Sequence, residues 1–211
     1  MEKDYHIESK VWMGFLKGNQ DSFKQLYLKY IDDLIVYGSF FCRDRSRVED
    51  SIHDVFVELF NRRENLSQNI NVKFYLFACL RRQLKRTLKN FPILEFKEGN
   101  DRDLEIIDLN FDPIIHNEEQ KLIVFKLVKA INQISKKKKE IIYLYYVQQL
   151  TYADISLLLG ISLSSCRTLM YRAIKDLKAN FEIDTMIPEN IDLSLLKNAI
   201  QLSVACGFLI V

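Results

Sequence analysis

Glycine and proline are scarce, with six and three residues in a chain of 211. So little turn chemistry favours a soluble protein rich in helix, and 48% apolar with 27% charged residues excludes disorder throughout. The four cysteines, Cys42, Cys79, Cys166 and Cys206, lie far apart and none belongs to a CxxC pair. Neither a zinc site nor a disulfide framework is indicated, and a reducing cytoplasm is the natural compartment. The first ten residues, MEKDYHIESK, are charged where a secretory signal needs an apolar stretch behind a basic start, so export is not expected. His6, His53 and His116 are scattered, with no nucleophile, carboxylate pair or phosphate-binding glycine loop beside them. No catalytic activity, metal, cofactor or small-molecule substrate is therefore expected. The net charge of +2 is too small to announce nucleic acid, but it averages over segments of opposite sign.

The length suits one large domain or two small ones, each with its own core, and the apolar periodicity favours two. Phe23, Leu26, Tyr27, Tyr30, Leu34, Ile35, Tyr37 and Phe41 recur at helical spacing. A second run puts Val48, Ile52, Val55, Phe56, Leu59 and Phe60 on one face, leaving Glu49, Asp50, His53, Asp54 and Glu58 on the others. A third, from Phe74 to Lys89, has an apolar stripe of Phe77, Leu80, Leu84 and Leu88, with Arg81, Arg82, Lys85, Arg86 and Lys89 away from it. Three helices with one basic exposed face make a first domain over residues 1–90. Residues 91–117 carry Pro92, Gly99 and Pro113, and acidic residues outnumber Lys97 and Arg102, so this segment reads as an acidic linker. Periodicity returns with Leu122, Phe125, Leu127, Val128, Ile131 and Ile134, opening a second, smaller helical domain over 118–184. The predicted fold is all-α: two small helical domains joined by an acidic linker.

Within the second domain, TYADISLLLGISLSSCRTLMYRAIKDL has the layout of a helix-turn-helix. Thr151 is placed to cap a short helix with Ile155 and Leu158 inward, Gly160 to supply the positive φ of the turn, and Ser162 to cap the next helix. Cys166, Leu169, Met170 and Ala173 are then available for packing. Ser164, Ser165, Arg167, Thr168, Tyr171 and Arg172 are left outward, as hydrogen-bonding and cationic groups suited to base edges and phosphates in a major groove. Glycine turns flanked by serine caps also join helices that bind no DNA, so an ordinary helical hairpin is the competing reading.

At this point a family resemblance becomes specific. ISKKKKEIIYLYYVQQLTYADISLLLGISLSSCRTLMYRAIKDLK resembles the fourth region of bacterial RNA polymerase sigma factors, which recognises the minus-35 element. VEDSIHDVFVELF and KFYLFACLRRQLKRTLK resemble successive parts of the second region, which binds the polymerase clamp and opens the minus-10 element. The stretches cover most of residues 20–180 in the order and spacing of the extracytoplasmic-function group of the sigma-70 family. The pattern departs at Arg82, where the family often has Asn, at Ser156, where it often has Ala, and at Leu169, where it often has Arg. Base contacts do not transfer at those positions.

The resemblance implies core RNA polymerase and promoter DNA as partners, with an anti-sigma factor, soluble or membrane-bound, as regulator. It implies that Asp50, His53, Asp54 and Glu58 face the polymerase clamp, where charge fixes register. Arg81, Arg82, Lys85, Arg86 and Lys89 repeat every three to four residues, so one helix side can follow a phosphate backbone. The loop residues Asn65, Ser67, Gln68, Asn69 and Asn71 carry side chains able to hydrogen-bond an unstacked base, and in the family this loop captures a flipped base. Read without the family, the same loop is a polar connector. The acidic linker fits either a solvated tether or an acidic strand lying in a basic nucleic-acid channel.

The tail over 185–211, containing IDLSLLKNAIQLSVACGFLIV, turns apolar but its uninterrupted portion falls well short of the roughly 20 residues a spanning helix needs. A helix packed on the second domain is the preferred reading, ahead of a docking surface for an anti-sigma factor or the inner membrane. Two other functions fit the residues: a dimeric helix-turn-helix regulator acting without polymerase, and a helical interaction module that binds no DNA. Dependence on core polymerase separates a sigma factor from the first, and sensitivity to loss of Arg167 and Arg172 separates it from the second.

Overall fold

The computed structural model describes residues 2–42, 44–90, 118–181 and Ala199, with side chains described at 8–42, 44–87, 122–181 and 199. The described residues are helical, with no strand among them. In chain order the helices are α1 (Glu2–Leu16), α2 (Gln20–Ser39), α3 (Arg45–Asn61) and α4 (Val72–Asn90). After residues 91–117 come α5 (Glu118–Gln133), α6 (Lys136–Ile142), α7 (Tyr152–Leu159) and α8 (Leu163–Asn180). The acidic linker and the apolar tail read from the sequence lie outside the described residues, apart from a buried Ala199.

Local chemistry sets the helix starts. Asn19 accepts from the Ser22 amide at 2.8 Å, Asp44 from Arg47 at 3.3 Å and Asn71 from Phe74 at 3.0 Å. Each side chain satisfies one of the amide donors left without an intrahelical partner at a helix N-terminus. The apolar stripes then meet: Leu26, Tyr30, Leu34 and Tyr37 of α2 pack with Val48, Ile52, Val55, Phe56 and Leu59 of α3 and Leu76, Phe77, Leu80 and Leu84 of α4, all buried. Helices α2 and α3 approach closely at Gly38, because a Cβ there would collide with the Val48 side chain.

Helix α1 is an element that the sequence pattern did not single out. It buries Trp12 and Phe15 against α2. The Trp12 and Phe15 ring centroids lie 5.3 Å apart, and Phe15 stacks on Phe23 at 5.7 Å. The Trp12 indole also donates to the Ser67 carbonyl at 3.1 Å, tying the loop before α4 to the first helix.

In the second group, α5 and α6 pack on α8, and Val124, Leu127, Val128, Ile131, Ile141, Leu144, Ile155, Met170 and Leu177 make its core. After α6 the backbone widens into one π turn, Tyr143–Val147, closed by the Gln148 amide on the Tyr143 carbonyl at 3.0 Å. Gln149 follows with φ +54°, the left-handed region that non-glycine residues seldom occupy. π turns often mark functional segments, and this one forms part of the seam between the two helical groups.

The groups are docked against each other. Tyr143 stacks parallel to Tyr37 of α2, with centroids 6.3 Å apart and planes at 9°, and also packs on Phe40. Its hydroxyl donates to the Asp33 carbonyl at 3.0 Å and accepts from the buried Gln148 amide at 2.8 Å. Lys73 of α4 donates to the Gln148 carbonyl at 3.2 Å. Burial pushes the Tyr37 and Tyr143 hydroxyls well above the ordinary tyrosine range, so both remain protonated donors at neutral pH.

Candidate nucleic-acid interface

The helix-turn-helix forms where the sequence places it. Thr151 and Asp154 make a reciprocal capping box: the Thr151 hydroxyl accepts from the Asp154 amide at 3.1 Å, and the Asp154 carboxylate accepts from the Thr151 amide at 3.3 Å. Gly160 ends α7 in the left-handed region, at φ 70° and ψ 40°, and nothing lies within 4 Å of where its Cβ would be. The glycine is therefore needed for its backbone angle alone. Ser162 then caps α8 by accepting from the Ser165 amide at 3.1 Å. The axes of α7 and α8 turn through 100°, within the range of helix-turn-helix motifs.

Helix α8 splits into two sides. Cys166, Met170, Ala173 and Leu177 are buried against the core, and burial raises the Cys166 thiol above its ordinary range. Ser164, Ser165, Arg167, Thr168, Tyr171 and Arg172 are all exposed, and Tyr171 reaches 70%. The Ser164 and Ser165 hydroxyls lie 2.9 and 2.8 Å from the Ser162 hydroxyl, so the cap orders the first polar groups of the outward face. Behind it, Lys138 of α6 pairs with Asp176 of α8 and fixes α8 to its support.

Three groups of expected site residues lie on the first helical unit. On α3, Asp50, His53, Asp54 and Glu58 are exposed along one side. Asp54 accepts from Gln83 of α4 at 2.8 Å and Glu58 pairs with Arg62 at 3.3 Å. Val57 lies among them and is 44% exposed, an apolar contribution to this face that the charge pattern did not reveal. In the loop, Asn65, Ser67, Gln68, Asn69 and Asn71 are exposed, while Leu66 and Ile70 pack inward. Asn71 spends its carbonyl oxygen on capping α4, so its amide group remains the donor for another partner.

On α4 the basic side is divided. Arg82, Lys85 and Arg86 are exposed as expected. Lys89 is within the helix, but its side chain lies outside the described residues. Arg81 differs from the reading that placed it with the exposed cations: it is turned inward, its side chain 13% exposed, against Glu140 of α6 and the Tyr37 hydroxyl. A buried carboxylate on α6 outweighs hydration for that one cation, whereas Arg82, Lys85 and Arg86 are exposed.

Among the described residues no cluster of His, Cys, Asp and Glu could hold a metal ion. No single described helix is long and apolar enough to cross a membrane.

Residues 125–177, which contain α7 and most of α8, match the family model for sigma-70, region 4. Over this stretch, about a quarter of its length, the chain is similar to sigma-70 region 4. The two-group architecture also resembles solved structures of sigma factors. CnrH, in complex with the cytosolic domain of CnrY, superposes with a TM-score of 0.54 at 17% identity, covering 84% of this chain and 99% of that one. The sigma factor RpoE, in complex with the anti-sigma factor NepR from Bartonella quintana, gives a TM-score of 0.50 at 19% identity, covering 77% and 98%. At these identities the likeness is one of fold. No curated protein matches the chain. Helix α7, the turn and all but the last three residues of α8 lie inside the region 4 match.

Proposed function

We propose that this protein is a sigma factor of the extracytoplasmic-function group of the sigma-70 family, directing core RNA polymerase to specific promoters and assisting DNA melting. The observation that carries this reading is the face of α8: six exposed polar, cationic and aromatic residues on a capped helix-turn-helix within the region 4 match. The N-terminal part of such a helix enters the major groove, so Ser164, Ser165, Arg167, Thr168, Tyr171 and Arg172 read the minus-35 element or grip its phosphates.

Residues 1–90 form the module that meets polymerase and the minus-10 element, and residues 118–184 the minus-35 module, with 91–117 as the linker. Asp50, His53, Asp54 and Glu58 face the polymerase clamp, and Val57 adds apolar area at the centre of their stripe. Arg82, Lys85, Arg86 and Lys89 follow the phosphate backbone while Asn65, Ser67, Gln68, Asn69 and Asn71 receive an unstacked base. The factor does no chemistry itself; it supplies binding energy to position and open DNA for the polymerase. Because CnrH is solved with CnrY and RpoE with the anti-sigma factor NepR, an anti-sigma factor is the regulator to look for here too. The work is cytoplasmic, where polymerase and promoter are.

Run-off transcription tests the reading. Purified core polymerase with this protein and its own upstream DNA should give a discrete transcript that polymerase alone does not. Specific promoter binding by the protein without polymerase, and no transcript with it, would instead identify a regulator acting on its own.

A further inference from the structure

Trp12 of α1 is buried, and its indole N–H donates to the Ser67 carbonyl at 3.1 Å across 55 positions of sequence. A buried indole needs an acceptor for its N–H, so this bond constrains ring and loop together. Two further points fix the same loop. At its start the Leu66 amide closes a turn on the Arg63 carbonyl at 3.3 Å, and the Arg63 guanidinium donates to the Phe60 carbonyl at 3.1 Å. At its end Ile70 packs inward and Asn71 caps α4. Between Ser67 and Ile70 there remains a two-residue apex, Gln68 and Asn69, both exposed.

The bond to Ser67 also aims the next peptide group. In a trans peptide the C=O and N–H point in opposite directions, and no described peptide bond is cis. With the Ser67 carbonyl turned in to Trp12, the Gln68 N–H is turned away from α1. The apex thus offers one backbone donor at a set position beside the side-chain amides of Gln68 and Asn69, each able to donate and to accept. Such a group discriminates between donor and acceptor at one place on a base edge, because the wrong pairing leaves both sides without a partner. A loop free to shift would let the wrong base find other partners; a tethered one does not.

We propose that Trp12 is a positioning residue for base selection: through the Ser67 carbonyl it holds the Gln68–Asn69 apex in the arrangement that reads an unstacked base of the minus-10 element. This rests on the sigma-factor reading, in which that loop receives the base. What it adds is a determinant of selectivity on α1, outside every group of residues assigned to DNA.

Trp12 is the only tryptophan of the chain. The indole can therefore be replaced biosynthetically by benzothienylalanine, which puts sulfur in place of the N–H at nearly the same shape, and Trp12→Phe is the genetic counterpart. Each full-length protein, with core polymerase, transcribes a promoter library randomised in the minus-10 and minus-35 regions. Without the donor, preference at one minus-10 position should fall by about 5-fold or more, the low end of what one base pair contributes to selectivity. The minus-35 preferences should stay as in wild type. Preferences are ratios among promoters, so they do not depend on how much of the protein is folded. A purely structural Trp12 would lower all transcripts evenly and leave the minus-10 profile unchanged, and that result would overturn the proposal, as would an equal loss of preference in both regions. If Trp12→Phe loses its helix content by circular dichroism, the sulfur-substituted protein alone decides. No transcript from wild type with core polymerase would instead sink the sigma-factor reading, and base selection with it.

Discussion

Arg81 and Glu140 stand 59 positions apart in sequence and form an ion pair across the seam between the two helical groups, both largely withdrawn from solvent. The pair changes how the basic helix is to be understood. Arg82, Lys85 and Arg86 face outward from α4, whereas Arg81 fastens that helix to α6. One run of cations thus serves two surfaces.

That division makes a prediction about DNA opening. Replacing Arg82, Lys85 and Arg86 together with Ala should reduce promoter melting. It should also flatten the salt dependence of binding, the logarithmic slope falling by about one for each phosphate that is no longer neutralised. Helix content should persist, since the three side chains are exposed and the buried stripe of α4 is untouched. Permanganate footprinting reads the melting, and a normal pattern in the triple variant would remove these cations from the melting step.

The turn of the helix-turn-helix isolates a backbone effect. Gly160 has φ 70° with open space around its missing Cβ, so Gly160→Ala introduces strain without a clash. The cost should be about 1 kcal/mol, the penalty of an L-residue in the left-handed region. Gly160→Asn should cost less, because Asn tolerates that region better. Urea denaturation of the three proteins checks both size and order, and equal stability of all three would mean the turn relaxes elsewhere.

How far the sequence was legible follows from the range of each interaction. Thr151, Gly160 and Ser162 act within four residues of themselves, so caps and turn can be placed from spacing, and the outward face of α8 follows from its period. Arg81 and Glu140 could not be paired that way: each resembles an ordinary charge on an exposed helix face, and only tertiary docking buries them. The same holds for Trp12, whose indole reaches Ser67 55 residues away. The π turn at Tyr143–Val147 escapes a 3.6-residue pattern because it widens the helix by one residue per turn, shifting which side chains face the seam.

The seam also sets an alkaline limit. Tyr37 and Tyr143 have their hydroxyls raised well above the ordinary range, chiefly by burial, and Tyr75 is pushed up to about 12, also chiefly by burial. A raised tyrosine leaves stability unaffected below its unfolded value of about 10. Above that the unfolded chain loses protons that the folded chain keeps, so stability falls as pH rises towards the folded values. Urea midpoints measured between pH 8 and 11.5 should be level with respect to these groups up to about 10 and then decline. The decline should be shallower in Tyr37→Phe, which has one fewer proton to lose. An equal decline in that variant would place the alkaline sensitivity elsewhere.

On α8, Arg167 is exposed directly after the buried Cys166 and one turn before the exposed Tyr171, on the side away from Met170 and Ala173. With α8 capped at Ser162 and fixed to α6 through the Lys138–Asp176 pair, the guanidinium starts from the rigid first half of a helix, the part that reaches deepest into a major groove. A bidentate contact to guanine would make Arg167→Ala cost roughly 1 to 3 kcal/mol and relax selectivity at one base pair. A phosphate contact would instead weaken binding evenly across sequences. Leu169, half-buried two residues on, has no polar group to offer, so any selectivity near it must come through apolar contact such as a thymine methyl. Transcription from a promoter library randomised in the minus-35 region, read with wild type and Arg167→Ala, separates these outcomes. Loss of preference at one position assigns a base contact, and uniform loss assigns a phosphate contact. An unchanged profile with unchanged activity would show that α8 does not engage DNA through Arg167.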